Sequence, residues 1–235
     1  MTVPDIISEL ESLGNPATKQ VLMRHGAREP FFGVKVGDMK PIQKRIKKNY
    51  ALSLELFDTG ISDAMYLAGL ISDSARMTRA DLDHWADGAY WHMISEYSVA
   101  WTASESPFAQ EKALAWIGSD QERIACAGWS TYSAYIAITP DERLDLPEIA
   151  GLLEHISQHL HQAPNRVRYT MNGFVISAGT YISDLQGMAL DTARMVGKVA
   201  VEMGGTACKV PEAISYIQKS QKDGLPPPRR KTVRC

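Results

Sequence analysis

Residues 90–101, YWHMISEYSVAW, place aromatic rings, a histidine and a single carboxylate on about three turns of a predicted helix. Aromatic faces attract cations, and a carboxylate beside them can stabilise developing positive charge. On a regular helix residues four apart share a face, so Trp91 aligns with Ser95 and His92 with Glu96. A five-residue spacing turns Glu96 about 140° away from Trp91, so it reaches the same site only if the helix is rotated or bulged. The alternative is an ordinary pair between Glu96 and His92 one turn earlier, which carries little energy and no chemistry.

A net charge of −2 conceals a segregated distribution. Lys35, Lys40, Lys44, Arg45, Lys47 and Lys48 fall within fourteen residues, Arg166 and Arg168 form a pair, and Arg229, Arg230, Lys231 and Arg234 end the chain. One such cluster is commonly a solvated helix face. Three together point to a polyanionic partner. His155, His159 and His161 superficially resemble metal ligands, but histidines at the negative pole of a helix explain them as well, and no metal site is expected.

The elements that must position these residues are helical. Val3, Ile6, Leu10 and Leu13 form an apolar stripe ending at Gly14; Asn15-Pro16 opens the next helix, Asp38 can cap the basic segment, and Thr78 with Asp81 forms a capping box. Ser106-Pro107 opens a helix that Gly118 ends, Ser119 or Asp120 opens another that Thr139-Pro140 breaks, Pro147 begins a third and Asn165 caps a fourth. Further helices are predicted over 184–202 and 211–219. No alternating strand pattern is present, which disfavours all-β and βαβ architectures.

With 235 residues, 45% of them hydrophobic, a substantial core is possible. Apolar runs such as AMYLAGLI at 64–71 are too short for a bilayer span, and no basic-then-apolar leader is visible, so a cytoplasmic protein that does not engage membranes is expected. Cys126, Cys208 and Cys235 are too scattered for a disulfide framework and read as free thiols. The expected organisation is one helical-repeat domain over 1–220 and a basic, proline-rich tail over 221–235. The tail's composition indicates disorder in isolation, and removal of residues 222–235 is expected to weaken polyanion binding without unfolding the protein.

The segment FFGVKVGDMKPIQKRIKK at 31–48 resembles the opening signature of the AlkD-like family of DNA alkylation repair proteins. The resemblance continues through 90–101, ALAWIGSDQERIACAGW at 113–129 and NRVRYTMNGFVISAGTY at 165–181. It implies a right-handed solenoid of stacked HEAT-like antiparallel helical hairpins whose concave, basic face holds double-stranded DNA, damaged or branched. It also implies excision of cationic alkylated purines, such as 3-methyladenine and 7-methylguanine, without metal or cofactor.

Such bases are already good leaving groups. A site therefore needs negative charge near the sugar, rings for the base and a cation for phosphate. The resemblance assigns Trp91 and Phe174 to the aromatic walls and Arg123 to phosphate. Ser95 stands where the family carries aspartate, which leaves Glu96, or a water held by Ser95, to supply the polar group near the sugar. The implied DNA-binding set is Lys35, Lys40, Lys44, Lys47, Lys48, Arg166, Arg168, Arg229, Arg230 and Lys231. Against this stand the usual places of these residue types: Trp91, Trp101, Trp116, Trp129 and Phe174 in the core, and Arg123 on the surface. Three functions stay open: a glycosylase, a noncatalytic DNA-binding relative, and a scaffold for another protein.

Overall fold

A computed structural model describes residues 1–234; Cys235 lies outside the described residues. All regular structure among them is helical, apart from one isolated antiparallel bridge between Lys222 and Leu225. The helices are α1 (Val3–Ser12), α2 (Pro16–Arg24), α3 (Val36–Ile46), α4 (Tyr50–Asp58), α5 (Ser62–Ile71), α6 (Arg79–Gly88), α7 (Ala100–Ser104), α8 (Ala109–Ile117), α9 (Glu122–Ile138), α10 (Leu146–His159), α11 (Asn165–Tyr181), α12 (Gln186–Val196) and α13 (Ala213–Ser220). A π-helical stretch, Ile94–Val99, leads directly into α7.

Local chemistry sets many of the starts. Thr2 with Asp5 and Thr78 with Asp81 form reciprocal capping boxes, while Asn15, Asn49 and Asp145 accept from the amides of Thr18, Leu52 and Glu148. Two expected caps are corrected. Helix α3 begins at Val36, so Asp38 lies inside its first turn, and the Asn165 side chain bonds Glu202 instead of capping α11. The helix expected over 184–202 stops at Val196, because Gly197 adopts φ 60° and turns the chain away.

The helices stack as neighbouring pairs, α4 on α5, α8 on α9 and α11 on α12. One member of each pair belongs to a central row in which α5, the π–α7 helix, α9 and α11 touch in succession. Close approach within that row depends on Gly69, where a Cβ would come within 2.6 Å of Ser98 Cα on the π stretch. Two apolar clusters meet at α9. Ile124 and Ala127 face the amino-terminal one, while Cys126, Trp129 and Tyr132 face the carboxyl-terminal one. Such shared burial, with about 2–3 kcal/mol for each large side chain removed from water, makes the stack continuous.

The tail packs against the helices. Gln221 Nε2 donates to Thr180 O, Arg229 Nη1 to Ile136 O, the Arg230 amide to Ala137 O, and Arg234 Nη1 to Ser72 O. It therefore runs as a strap along the carboxyl-terminal ends of α11, α9 and α5, meeting helix carbonyls that otherwise lack partners.

Candidate functional site

The opposite, amino-terminal ends of the central row converge on a cavity of about 380 Å³. Trp91 and Ser95 come from the start of the π–α7 helix, Glu122, Arg123 and Cys126 from α9, and Arg166 from α11. The loop at 24–26 and the non-helical chain at 202–204 close it. Helix amino termini carry partial positive charge, and Arg24 and Arg123 stand in the same lining. Its acids are engaged with backbone amides: Glu122 accepts from Arg166 N at 2.5 Å and Glu202 from Gly204 N at 3.1 Å. The arrangement suits an anion held beside an aromatic wall.

Trp91 is held by its Nε1 donating to Ser62 Oγ at 2.9 Å, and Arg123 Nε donates to Asp87 O at 3.3 Å. Ser95 Oγ lies 3.5 Å from the carbonyls of both Trp91 and His92, so the hydroxyl points back along its own helix. The π stretch explains how the neighbouring Glu96 is used. Widening to i→i+5 bonding shifts the helical phase, a local irregularity common at functional sites. Ser95 lines the cavity while Glu96 lines an adjacent groove of about 590 Å³ with Tyr97, Trp101 and Tyr169.

Glu96 does not pair with His92. It receives Arg166 Nε and Nη2 at 2.5 and 2.6 Å, a bidentate ion pair whose side chains are only 5% and 16% exposed. Tyr169 covers the same guanidinium, its ring centroid 3.9 Å from Arg166 Cζ. Burial pushes the Glu96 carboxyl up to about 7 against the opposing pull of Arg166. Sequence reasoning missed this partner, seventy residues away. It also missed Glu122, whose only signal was an acid in the first turn of α9, next to Arg123.

His92 packs edge-on to Trp91 and His25, and burial, then the charge of Arg166 and the proximity of His25, lower its pKa to about 3. The unfolded chain, with an ordinary histidine near 6.5, therefore binds a proton first as pH falls. Stability contributed by neutral His92 is complete above about pH 6.5 and is lost progressively toward 3. Urea titrations between pH 7 and 5 should show wild type losing at most ~1.4 kcal/mol per pH unit from this group, and His92→Gln losing correspondingly less. Parallel pH profiles would remove His92 as the cause.

Other expected site residues are placed elsewhere. Phe174 is fully buried, edge-to-face with Trp129 and Tyr132 at 5.2 and 5.6 Å, so it is a core residue and not a cavity wall. Arg166, expected on phosphate, is held by Glu96, and Arg168 Nη1 donates to Ala200 O. Arg229 pairs with Asp141, and Arg230 Nε donates to Tyr181 Oη at 2.8 Å. Each of these arginines makes a contact within the protein. Lys35 is exposed at the start of α3, whereas Lys40, Lys44, Lys47 and Lys48 line a separate groove with Lys231. His159 and His161 bond the carbonyls of His155 and Val196, and no metal-ligand cluster occurs among the described residues. Nor, among them, is any helix long and apolar enough to cross a membrane.

Stacked helical pairs with a cavity at the helix amino termini define a HEAT-like helical-repeat protein. The model of the DNA alkylation repair enzyme family matches residues 6–217, and the chain belongs to that family. It is 36% identical over 227 residues to the uncharacterised proteins Lmo0209 of Listeria monocytogenes and Lin0241 of Listeria innocua, covering 94% of this chain and 98% of each relative. A solved structure superimposes with a TM-score of 0.91 at 40% identity, covering 100% of both chains. That structure is described as a new family of proteins related to the HEAT-like repeat DNA glycosylases with affinity for branched DNA structures.

Proposed function

We propose that this protein is a cytoplasmic, noncatalytic member of the DNA alkylation repair family that binds double-stranded DNA through its shape, with branched DNA as the preferred form. The carrying observation is the Glu96–Arg166 pair. The buried carboxylate of Glu96 is closed by a bidentate guanidinium and lines the neighbouring groove, while Ser95 lines the cavity. A hydroxyl bonded back to its helix offers no negative charge to an oxocarbenium-like sugar. What the cavity retains, Trp91 and Arg123 at positive helix ends, suits binding of bases and phosphate. The affinity for branched DNA described for the 40%-identical structure supports this choice of ligand.

Excision of cationic purines keeps one supporting observation, Glu122, which lines the cavity beside Arg123. One of its oxygens, Oε1, accepts the Arg166 amide. Binding assays with four-way junctions and linear duplexes of equal length, over a salt series, test the proposal. Tighter junction binding that weakens steeply with salt is expected, with Arg123→Ala weakening it by about 1–2 kcal/mol. Salt-insensitive binding, or none, would contradict a DNA-binding role.

A further inference from the structure

The groove between α3 and the strap, about 1160 Å³, is lined by Lys40, Lys44, Lys47 and Lys48 from one helix and Lys231 from the tail. Lys44, Lys47, Lys48 and Lys231 are exposed. The carboxylate among its lining residues, Glu105, is already engaged by Thr232, the Val233 amide and Arg234. Arg234, its side chain 7% exposed, also donates to the carbonyls of Leu70 and Ser72 and to Ser74 Oγ. The Leu70 and Ser72 carbonyls and Glu105 are thus met by strap residues, and the exposed Lys44, Lys47, Lys48 and Lys231 add positive charge to the groove.

The groove and the cavity lie at opposite ends of the same helices. Ser62, at the start of α5, holds Trp91 at the cavity, whereas Leu70, near its end, lines the groove. Likewise Trp91 and Glu105 bracket the π–α7 helix. At 1.5 Å per residue the two sites are roughly 12–21 Å apart.

Backbone conformation adds an independent observation. Lys47 ends α3 at φ 62°, ψ −142°, and Gly197 ends α12 at φ 60°, ψ −137°. The chain uses glycine for this turn in one place and lysine in the other, although the left-handed region is costly for a side chain. A lysine in a strained position beside three others of like charge is unfavourable for the fold alone.

We infer that the groove between α3 and the carboxyl-terminal strap is a second seat for DNA, gripping a phosphodiester backbone at a distance from the cavity. A row of ammonium groups spaced by helical turns follows an extended backbone better than it encloses one phosphate. Two seats on opposite ends of the helices let two arms of one branched molecule be held together. This inference rests on the DNA-binding reading proposed above.

The test compares wild type, Lys47→Gly and the quadruple variant Lys44→Gln/Lys47→Gln/Lys48→Gln/Lys231→Gln on a four-way junction across salt. The quadruple variant should lower the slope of log Kd against log salt by about two or more and weaken junction binding tenfold or more, with thermal melting unchanged. Lys47→Gly should lower the slope by about one while melting at the same or a higher temperature, which separates lost contact from lost fold. Slopes and affinities within about twofold of wild type in both variants would overturn the second seat. A wild type that binds neither junction nor duplex would instead overturn the DNA-binding reading itself.

Discussion

Glu96→Gln is expected to damage stability, as removal of a structural partner does, and not to behave as the loss of a catalytic acid. The substitution keeps shape but leaves the Arg166 guanidinium, 16% exposed, without its countercharge. Breaking a buried pair from one side costs roughly 3–5 kcal/mol, which for a chain of this size lowers Tm by about 6–20 °C. Arg166→Gln should cost a similar amount, because it leaves a carboxyl group that burial already pushes upward. The double variant Glu96→Gln/Arg166→Gln should recover part of the loss, since two neutral amides can bond each other where one amide and one charge cannot. Calorimetry of the four proteins measures the coupling. A Glu96→Gln protein that melts with wild type would show that the pair contributes little to the fold and would release Glu96 for chemistry.

Removal of residues 222–235 is expected to destabilise the protein, contrary to what the tail's composition suggests. Arg229, Arg230 and Arg234 together meet backbone carbonyls on α9 and at the end of α5 and ion-pair with Asp141 and Glu105. Each charged hydrogen bond lost contributes about 1.5–3 kcal/mol, so truncation is expected to lower Tm. Unchanged melting after truncation would mean that the strap is a passive covering. Because the strap also carries Lys231, truncation confounds stability with binding, and the point substitutions above separate the two.

The helical class was legible because it is written locally. The capping box at Thr78, Asn15-Pro16 and the stop at Gly118 act within three or four residues, and the structure uses them where sequence places them. What failed depends on distant partners. Nothing within 90–101 announces that Arg166 will claim Glu96, nor that the intervening helix takes π geometry. Phe174 fits an aromatic wall in a linear motif, but the packing of α9 against α11 buries it between Trp129 and Tyr132. The tail reads as disordered because its binding energy comes from carbonyls on other helices, which composition does not record. Trp91, Ser95 and Arg123 do line one cavity; their catalytic role is a separate matter from that proximity.

The most direct test of the central claim is release of 3-methyladenine and 7-methylguanine from methylated duplex DNA, measured beside a protein-free control. Wild type is expected to release neither base above the control while binding the same DNA in a salt-dependent way. Release above the control that is abolished by Glu122→Gln or Glu96→Gln would contradict a noncatalytic role and identify the carboxylate that performs the excision.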